Sequence, residues 1–300
     1  MPKIHNHFPQ SSLPTSLLKS KPYRGRIAPS PTGLLHLGHA KTFSTAQDRA
    51  SFADGTLILR IDDLDRSRCQ TEFVHAIDQD LHWFGVHWTE GPNLGGPFAP
   101  YVQSQRMSLY TNYFEILRQH GWIYPCNCSR QDVLQALSAP HAGDEDPIYP
   151  GTCRNRGLDP QSTPRNGVNW RFHVPEGELI QFTDGAVGLH QETAGTDFGD
   201  FLVWRKDDQP SYHLACVVDD ATMEITEVVR GADLLTSTSR QILIYRALKF
   251  SPPAFYHCPL IRDIHGNRLA KRNHPNSLRN LRLQGIQPEY LRTTENFIAL

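Results

Sequence analysis

Apolar and polar positions along the chain fall into alternating strand-like and helix-like stretches. Arg26–Ala28 is a short apolar piece entering the loop Pro29-Ser30-Pro31-Thr32-Gly33. Proline fixes φ and glycine frees the backbone, so this loop is stiff and is released at Gly33. A helix pattern then begins, with His36 and His39 near its first turn. Thr56–Ile61 is the next strand candidate and ends in the acidic run Asp62-Asp63-Leu64-Asp65. Thr71–Trp83 carries Phe73, Ile77 and Leu81 at helical spacing, and Gln105–Gly121 carries Leu109, Tyr113, Ile116 and Leu117. Gly91–Pro100 is a Gly/Pro loop, Cys126 to about Gly167 is loop-rich, and Trp170–His190 is strand-rich. Strands alternating with helices predict an α/β core. In open sheets of that kind ligands sit at the carboxyl ends of strands, where the acidic run falls.

Composition narrows the function classes. A chain of 300 residues buries a real core and has room for smaller modules. Formal net charge is −1, so no global basic field draws nucleic acid, and any RNA contact comes from a local patch. No apolar run is long enough to span a membrane. Residues 1–22 are rich in Ser, Pro, Lys and His and lack a secretory apolar core, so they read as a loose extension. The six cysteines are read as reduced, and a cytoplasmic location is expected. Three of them cluster: Cys126-Asn127-Cys128, and Cys153 following Tyr149. Three thiolates supply most of a tetrahedral zinc site, with a Tyr149 phenolate or His141 as the fourth ligand. The ordinary alternative is free cysteines in a loop-rich insertion.

Three blocks carry further chemistry. A strand, a stiff loop and a helix start with two imidazoles form a plausible cradle for a nucleoside triphosphate, since helix N-termini attract anions. It is not a Walker loop, because no Gly-Lys-Ser/Thr follows. The second block runs from Asp197 to Leu248. It contains Pro210-Ser211-Tyr212-His213, Val217-Val218-Asp219-Asp220 and Val229-Arg230-Gly231-Ala232-Asp233. Buried strands with satisfied polar ends account for Val217 and Val218, but not for Tyr212, Arg230 and Asp233 together. Asp197-Phe198-Gly199 imitates a kinase metal motif without its companions and is set aside. The third block is the basic loop Arg268-Leu269-Ala270-Lys271-Arg272, after the turn signal Gly266-Asn267.

Together these blocks resemble the class I aminoacyl-tRNA synthetases of the glutamyl and glutaminyl type, over nearly all of residues 24 to 290. His36-Leu37-Gly38-His39 matches their "HIGH" element and Pro29–Gly33 the segment before it. The loop around Lys271 matches their "KMSKS" element, with Arg268 for its first lysine and both serines gone. The resemblance implies a Rossmann-type α/β core with a zinc-binding insertion. The expected division is an extension over 1–22, core halves over 23–120 and 196–260, the insertion over 121–195, and the mobile-loop element with a short helical end over 261–300. No anticodon-reading module is expected, since only residues 272–300 follow Lys271.

The resemblance also implies roles. His36, Gly38, His39 and Lys271 are expected to hold ATP, which brings Mg2+, with the two histidines and Lys271 stabilising charge on the triphosphate. Arg26, Ala28, Ser30, Asp62, Tyr212 and Arg230 are expected to contact L-glutamate. The two arginines suit its carboxylates, because the guanidinium fork takes both oxygens, and Asp62 suits its ammonium. Position 62 is usually Glu in the family, so this carboxylate is one methylene shorter. Truncated members of the family bind one structural Zn2+ through three Cys and one Tyr, here Cys126, Cys128, Tyr149 and Cys153. They activate glutamate without tRNA and transfer it to the queuosine base at the wobble position of tRNA(Asp). Apart from the resemblance, Arg279 and Arg282 form a local basic cluster that suits RNA backbone or is equally a pair of plain surface residues. A monomer without membrane contact is expected. Other readings are a glutamate-activating ligase for a different acceptor, a non-catalytic paralogue that binds RNA, and a plain zinc-binding nucleic-acid module. The last explains neither the first block nor the second.

Overall fold

The computed structural model describes residues 21–129, 132, 148–155, 158–261 and 277–292. The first elements are β1 (Arg24–Ile27), α1 (Leu37–Phe52), β2 (Thr56–Leu59), α2 (Thr71–Phe84) and α3 (Met107–Gln119). Then come β3 (Ile123–Cys126), β4 (Asn169–Phe172), β5 (Leu179–Asp184), β6 (Gly188–Thr193), β7 (Leu202–Arg205) and β8 (Gln209–Pro210). The chain continues with α4 (Tyr212–Thr222), β9 (Glu227–Gly231), α5 (Leu235–Ala247), β10 (Ala254–Cys258), α6 (Leu278–Leu283) and α7 (Pro288–Arg292).

Two parallel pairs form the core. β1 pairs with β2 through α1, and β9 pairs with β10 through α5. Parallel neighbours need such a crossover, and a helix covers the sheet while making it. The pairs are tied where the chain enters β9: Thr226 N–H donates to the Arg24 carbonyl at 2.9 Å, and Arg24 N–H to Thr226 Oγ1 at 2.8 Å. β5 joins the second pair at Phe255↔Asp184, and β6 completes that sheet as its antiparallel edge. A separate antiparallel sheet has the order β3-β4-β7-β8.

Apolar burial locks these layers. Ile27, Leu37, Ala40, Leu59, Leu81, Phe84, Val229 and Leu278 share one cluster, joining both strand pairs to α1, α2 and α6. A larger cluster packs α3 against the antiparallel sheet and α4; in it the Phe114 ring lies 5.1 Å from both Trp170 and Trp204. Such aromatic pairs contribute about 0.5–1.5 kcal/mol beyond the area they bury. Among the described residues no helix is long and apolar enough to cross a membrane.

The α/β expectation is borne out, with three local differences. Val217 and Val218 are buried on helix α4, not on a strand. Ser211 N-caps that helix by accepting the Leu214 N–H at 3.3 Å, which stops the preceding strand and starts a turn. On α3 the fully buried stripe is Tyr110, Phe114 and Leu117, while Leu109, Tyr113 and Ile116 are only partly buried. On α2 Ile77 and Leu81 are buried as expected, and Phe73 is only half-buried.

Candidate active site

The first strand–helix turn shows why its sequence is His-Leu-Gly-His. His36 is the N-cap of α1, and its Nδ1 accepts the Gly38 N–H at 3.0 Å. His39 Nδ1 accepts the His36 N–H at 3.2 Å, closing a reciprocal capping box. Each Nδ1 is thus an acceptor, which places each ring proton on Nε2 as a donor. The imidazoles lie against each other with centroids 3.8 Å apart and planes tilted by 31°. Gly38 is required by contact: a Cβ there would lie 2.8 Å from His36 Cε1. Gly33, by contrast, has open space around it and no left-handed φ.

The sequence reading offered the first N–H groups of α1 to an anion. Two N–H groups at this helix start, those of His36 and Gly38, are instead taken by the histidine side chains. A bridge between His36 and Ser277, with Leu278 N–H donating to the Leu35 carbonyl at 2.8 Å, brings the chain back to this turn. Lys271 and Arg268 lie outside the described residues.

A second group gathers at the carboxyl ends of β1, β2 and β9 and the start of α4. Arg26, 5 % exposed, donates from Nη1 to the Val229 carbonyl at 2.8 Å, and its Nε lies 3.5 Å from Asp220 Oδ1 without a hydrogen-bond partner. Arg230 is buried on β9 and donates from Nε to His257 Nε2 at 3.1 Å, from Nη2 to Thr238 Oγ1 at 2.6 Å and from Nη1 to Gln241 Oε1 at 2.8 Å. Its Nη1 also lies 3.5 Å from the Tyr212 hydroxyl. Burial pushes that phenol above its ordinary range, although the residue as a whole is 42 % exposed.

Asp62 N–H donates to the Pro29 carbonyl at 3.1 Å, which seats this residue beside the loop of Ala28 and Ser30. Ala28 is half-buried and Ser30 exposed. Arg60 holds the Asp62 carboxylate through Nε at 2.7 Å and Nη2 at 3.2 Å. A carboxylate has about four lone-pair sites, so two remain for an ammonium. Burial raises Asp62 to about 6 against the pull of Arg60, and at neutral pH it is ionised.

The cysteine cluster forms the third group. Tyr149 Oη is 3.4 Å from Cys126 Sγ and 3.5 Å from Cys128 Sγ, and Cys128 and Cys153 sulfurs are 3.4 Å apart. All three sulfurs lie within 4.8 Å of one another. Tetrahedral zinc with ligands at 2.0–2.3 Å separates its donors by about 3.3–3.8 Å, so the donor set fits that ion. His141 lies outside the described residues. Arg171 backs the cluster: its Nε donates to Cys126 Sγ at 3.3 Å, and its guanidinium stacks 3.7 Å from the centre of the Tyr149 ring. Burial raises the Cys128 thiol to about 11, whereas hydrogen bonds with Tyr149 and Cys128 outweigh burial and hold Cys153 near 7. The Cys153 segment is pinned by its neighbour Arg154, which donates to both oxygens of buried Asp200 at 2.5 and 2.7 Å.

A cavity of about 420 Å³ runs between this cluster and Tyr212, lined among others by Cys128, Tyr149, Arg171, Arg205 and Arg240. His213 also lines it, and burial beside Arg240 and Arg230 lowers His213 to about 3, keeping it neutral. Arg60, Asp184, His257, Thr238 and Arg171 were not singled out from sequence. Asp184, His257 and Arg171 reach their partners across long chain separations, which no local spacing encodes, whereas Arg60 and Thr238 lie close in sequence to Asp62 and Arg230.

Residues 23–298 match the family model described as tRNA synthetases class I (E and Q), catalytic domain, and the chain belongs to that family. The resemblance read from the three blocks is borne out. Within the family it is similar to two proteins named Glutamyl-Q tRNA(Asp) synthetase. One, from Nitratidesulfovibrio vulgaris, is 43 % identical over 88 % of this chain and 82 % of its own length. The other, from Symbiobacterium thermophilum, is 45 % identical over 88 % of this chain and 83 % of its own. A solved glutamate tRNA ligase from Elizabethkingia meningosepticum, in complex with its amino acid, superposes with TM-score 0.74 at 32 % identity. That match covers 84 % of this chain and 52 % of the ligase, so the chain spans about half of that larger enzyme.

Proposed function

We propose that this protein activates L-glutamate with ATP and transfers it to the queuosine base of tRNA(Asp). The observation that carries the reading is the meeting of Arg26 and Asp62, joined through Asp220 and Arg60, with Arg230 and Tyr212 in contact, in a chain whose relatives include Glutamyl-Q tRNA(Asp) synthetases. In this reading Arg230, with Tyr212, takes one glutamate carboxylate and Arg26 orients the other. Asp62, with Ala28 and Ser30, receives the ammonium. The α-carboxylate attacks the α-phosphorus of ATP, forming the mixed anhydride and releasing pyrophosphate. His36 and His39 donate from Nε2 to the triphosphate, Gly38 lets the rings fold over the turn, and Lys271 stabilises charge on the triphosphate. Such displacements depend on positioning and charge stabilisation, so no protein nucleophile is needed. Magnesium accompanies ATP. The acceptor hydroxyl enters by the cavity between Tyr212 and the cysteine cluster, attacks the anhydride carbonyl, and leaves AMP behind.

The test is transfer of labelled glutamate to tRNA(Asp) with and without queuosine. Ester formation only on the queuosine-bearing tRNA is expected. Exchange of pyrophosphate into ATP with no transfer to either tRNA would mean a ligase for another acceptor.

Cys126, Cys128, Tyr149 and Cys153 would hold one zinc ion, whose part is to cross-link β3 to the chain leading to Arg154. Purified protein is expected to carry one equivalent of zinc by elemental analysis, and Cys153→Ala to lose it. Tyr149→Phe should bind more weakly, by roughly 10-fold or more. Metal-free wild-type protein after growth with zinc would end this assignment.

A further inference from the structure

We propose that Asp184 and His257 form a hydrogen-bonded relay that fixes the fork of Arg230, which makes His257 a positioning residue for the amino-acid substrate. The inference rests on the reading that Arg230 binds glutamate. His257 is fully buried on β10, one strand from Arg230, and Asp184 lies at the end of β5 on its other side. His257 Nδ1 lies 2.6 Å from Asp184 Oδ2, and His257 Nε2 lies 3.1 Å from Arg230 Nε.

The proton positions follow from the partners. Arginine has only donors, so His257 Nε2 is an acceptor and its ring proton sits on Nδ1. That proton goes to Asp184, which is ionised. Burial opposes its charge, but the His257 ring and the N–H groups of Ala186, Val187 and His257 hold it below the usual carboxylate range. Burial and the Arg230 charge keep the imidazole neutral, with a pKa near 4. Thr238 Oγ1 also lies 3.0 Å from His257 Nε2; a cationic imidazole, or one with its proton on Nε2, would turn that N–H to the threonine oxygen and leave the Arg230 Nε–H facing a donor in place of its acceptor. Thr238 and Gln241 fix the other two nitrogens, so the relay sets the remaining angle of the fork.

Asp184→Asn tests this. Three backbone N–H groups converge on Asp184 Oδ1, which forces the asparagine oxygen to stay there. Its NH2 then faces His257 Nδ1 and drives the ring proton to Nε2, against Arg230. The expected result in glutamate-dependent ATP–pyrophosphate exchange is a KM for glutamate raised about 10- to 100-fold, with the KM for ATP unchanged. His257→Asn, which reaches Asp184 but not Arg230, should show a similar rise. His257→Gln, whose amide oxygen replaces the Nε2 acceptor, should recover most of that loss. If Asp184→Asn does not fold, the two His257 variants decide.

An unchanged glutamate KM in His257→Asn overturns the relay. So does a parallel rise for glutamate and ATP together with a lower melting temperature, which would mean a structural role only. Arg230→Ala separates the two ideas. If it exchanges normally, the reading of Arg230 fails; if it is dead while Asp184→Asn and His257→Asn match wild type, only the relay fails.

Discussion

Arg230→Ala is expected to lower kcat/KM for glutamate in ATP–pyrophosphate exchange by roughly 100- to 1000-fold, within the 2–5 kcal/mol lost when one partner of a buried charge pair is removed. The guanidinium is 4 % exposed and has its Nε and both terminal nitrogens engaged by His257, Thr238 and Gln241. Its entropic cost is therefore met before substrate arrives, and the carboxylate finds a preorganised fork. Most of the loss should appear in the glutamate KM, with the ATP KM little changed, since the side-chain partners of Arg230 are His257, Tyr212, Gln241 and Thr238 and not the histidines proposed to hold ATP. Arg230→Lys should recover little, because an ammonium cannot serve three side-chain acceptors and a carboxylate in one plane. Exchange within about twofold of wild type in Arg230→Ala would remove this residue from the site.

Asp219→Ala is expected to be the most destabilising of the single changes considered, by about 3–5 kcal/mol. Asp219 is fully buried on α4. It accepts Gln103 Nε2 at 2.8 Å, Arg106 Nε at 2.7 Å and the Tyr110 hydroxyl at 2.9 Å, and Arg60 Nε lies 3.6 Å away. Removing the anion strands one cation and weakens the surroundings of another, since Arg60 keeps Asp62 and Asp220. The melting temperature should fall by roughly 6–20 °C, judged from 2–4 °C per kcal/mol in domains of comparable size. Asp219→Asn, which keeps the shape and part of the hydrogen bonding, should lose less. A change under about 2 °C in Asp219→Ala would show that this network contributes little to stability. The network also reaches the substrate group through Arg60, which holds Asp62, so partial unfolding here should raise the glutamate KM as well.

The family was legible in the sequence because its signals are local. The His36–His39 turn, the Pro29–Gly33 loop and the basic stretch at Lys271 each need only neighbouring residues to define a backbone shape or a charge. The cysteine cluster was half-legible. Its thiolates stand out by spacing, whereas the choice of fourth ligand depends on where a long loop-rich segment folds, and the structure brings Tyr149 to the sulfurs. The α3 face was misread because Leu109, Tyr113 and Ile116 look as apolar as Tyr110 and Phe114. Only the position of the antiparallel sheet and α4 decides which side is sealed from water.

Residue type and short-range spacing alone thus predicted the alternating architecture and the His36–His39 turn, while the family resemblance singled out Arg26 and Arg230. Tertiary structure alone decided how those groups are held. Arg60 grips Asp62, Asp184 sets the His257 tautomer, His257 aims Arg230, and Arg171 covers Tyr149. The reason is physical: hydrogen bonds and ion pairs act over a few ångströms, and apart from Arg60–Asp62 the chain separates these partners by tens of residues. Their meeting is a consequence of strand order and packing that no local pattern records.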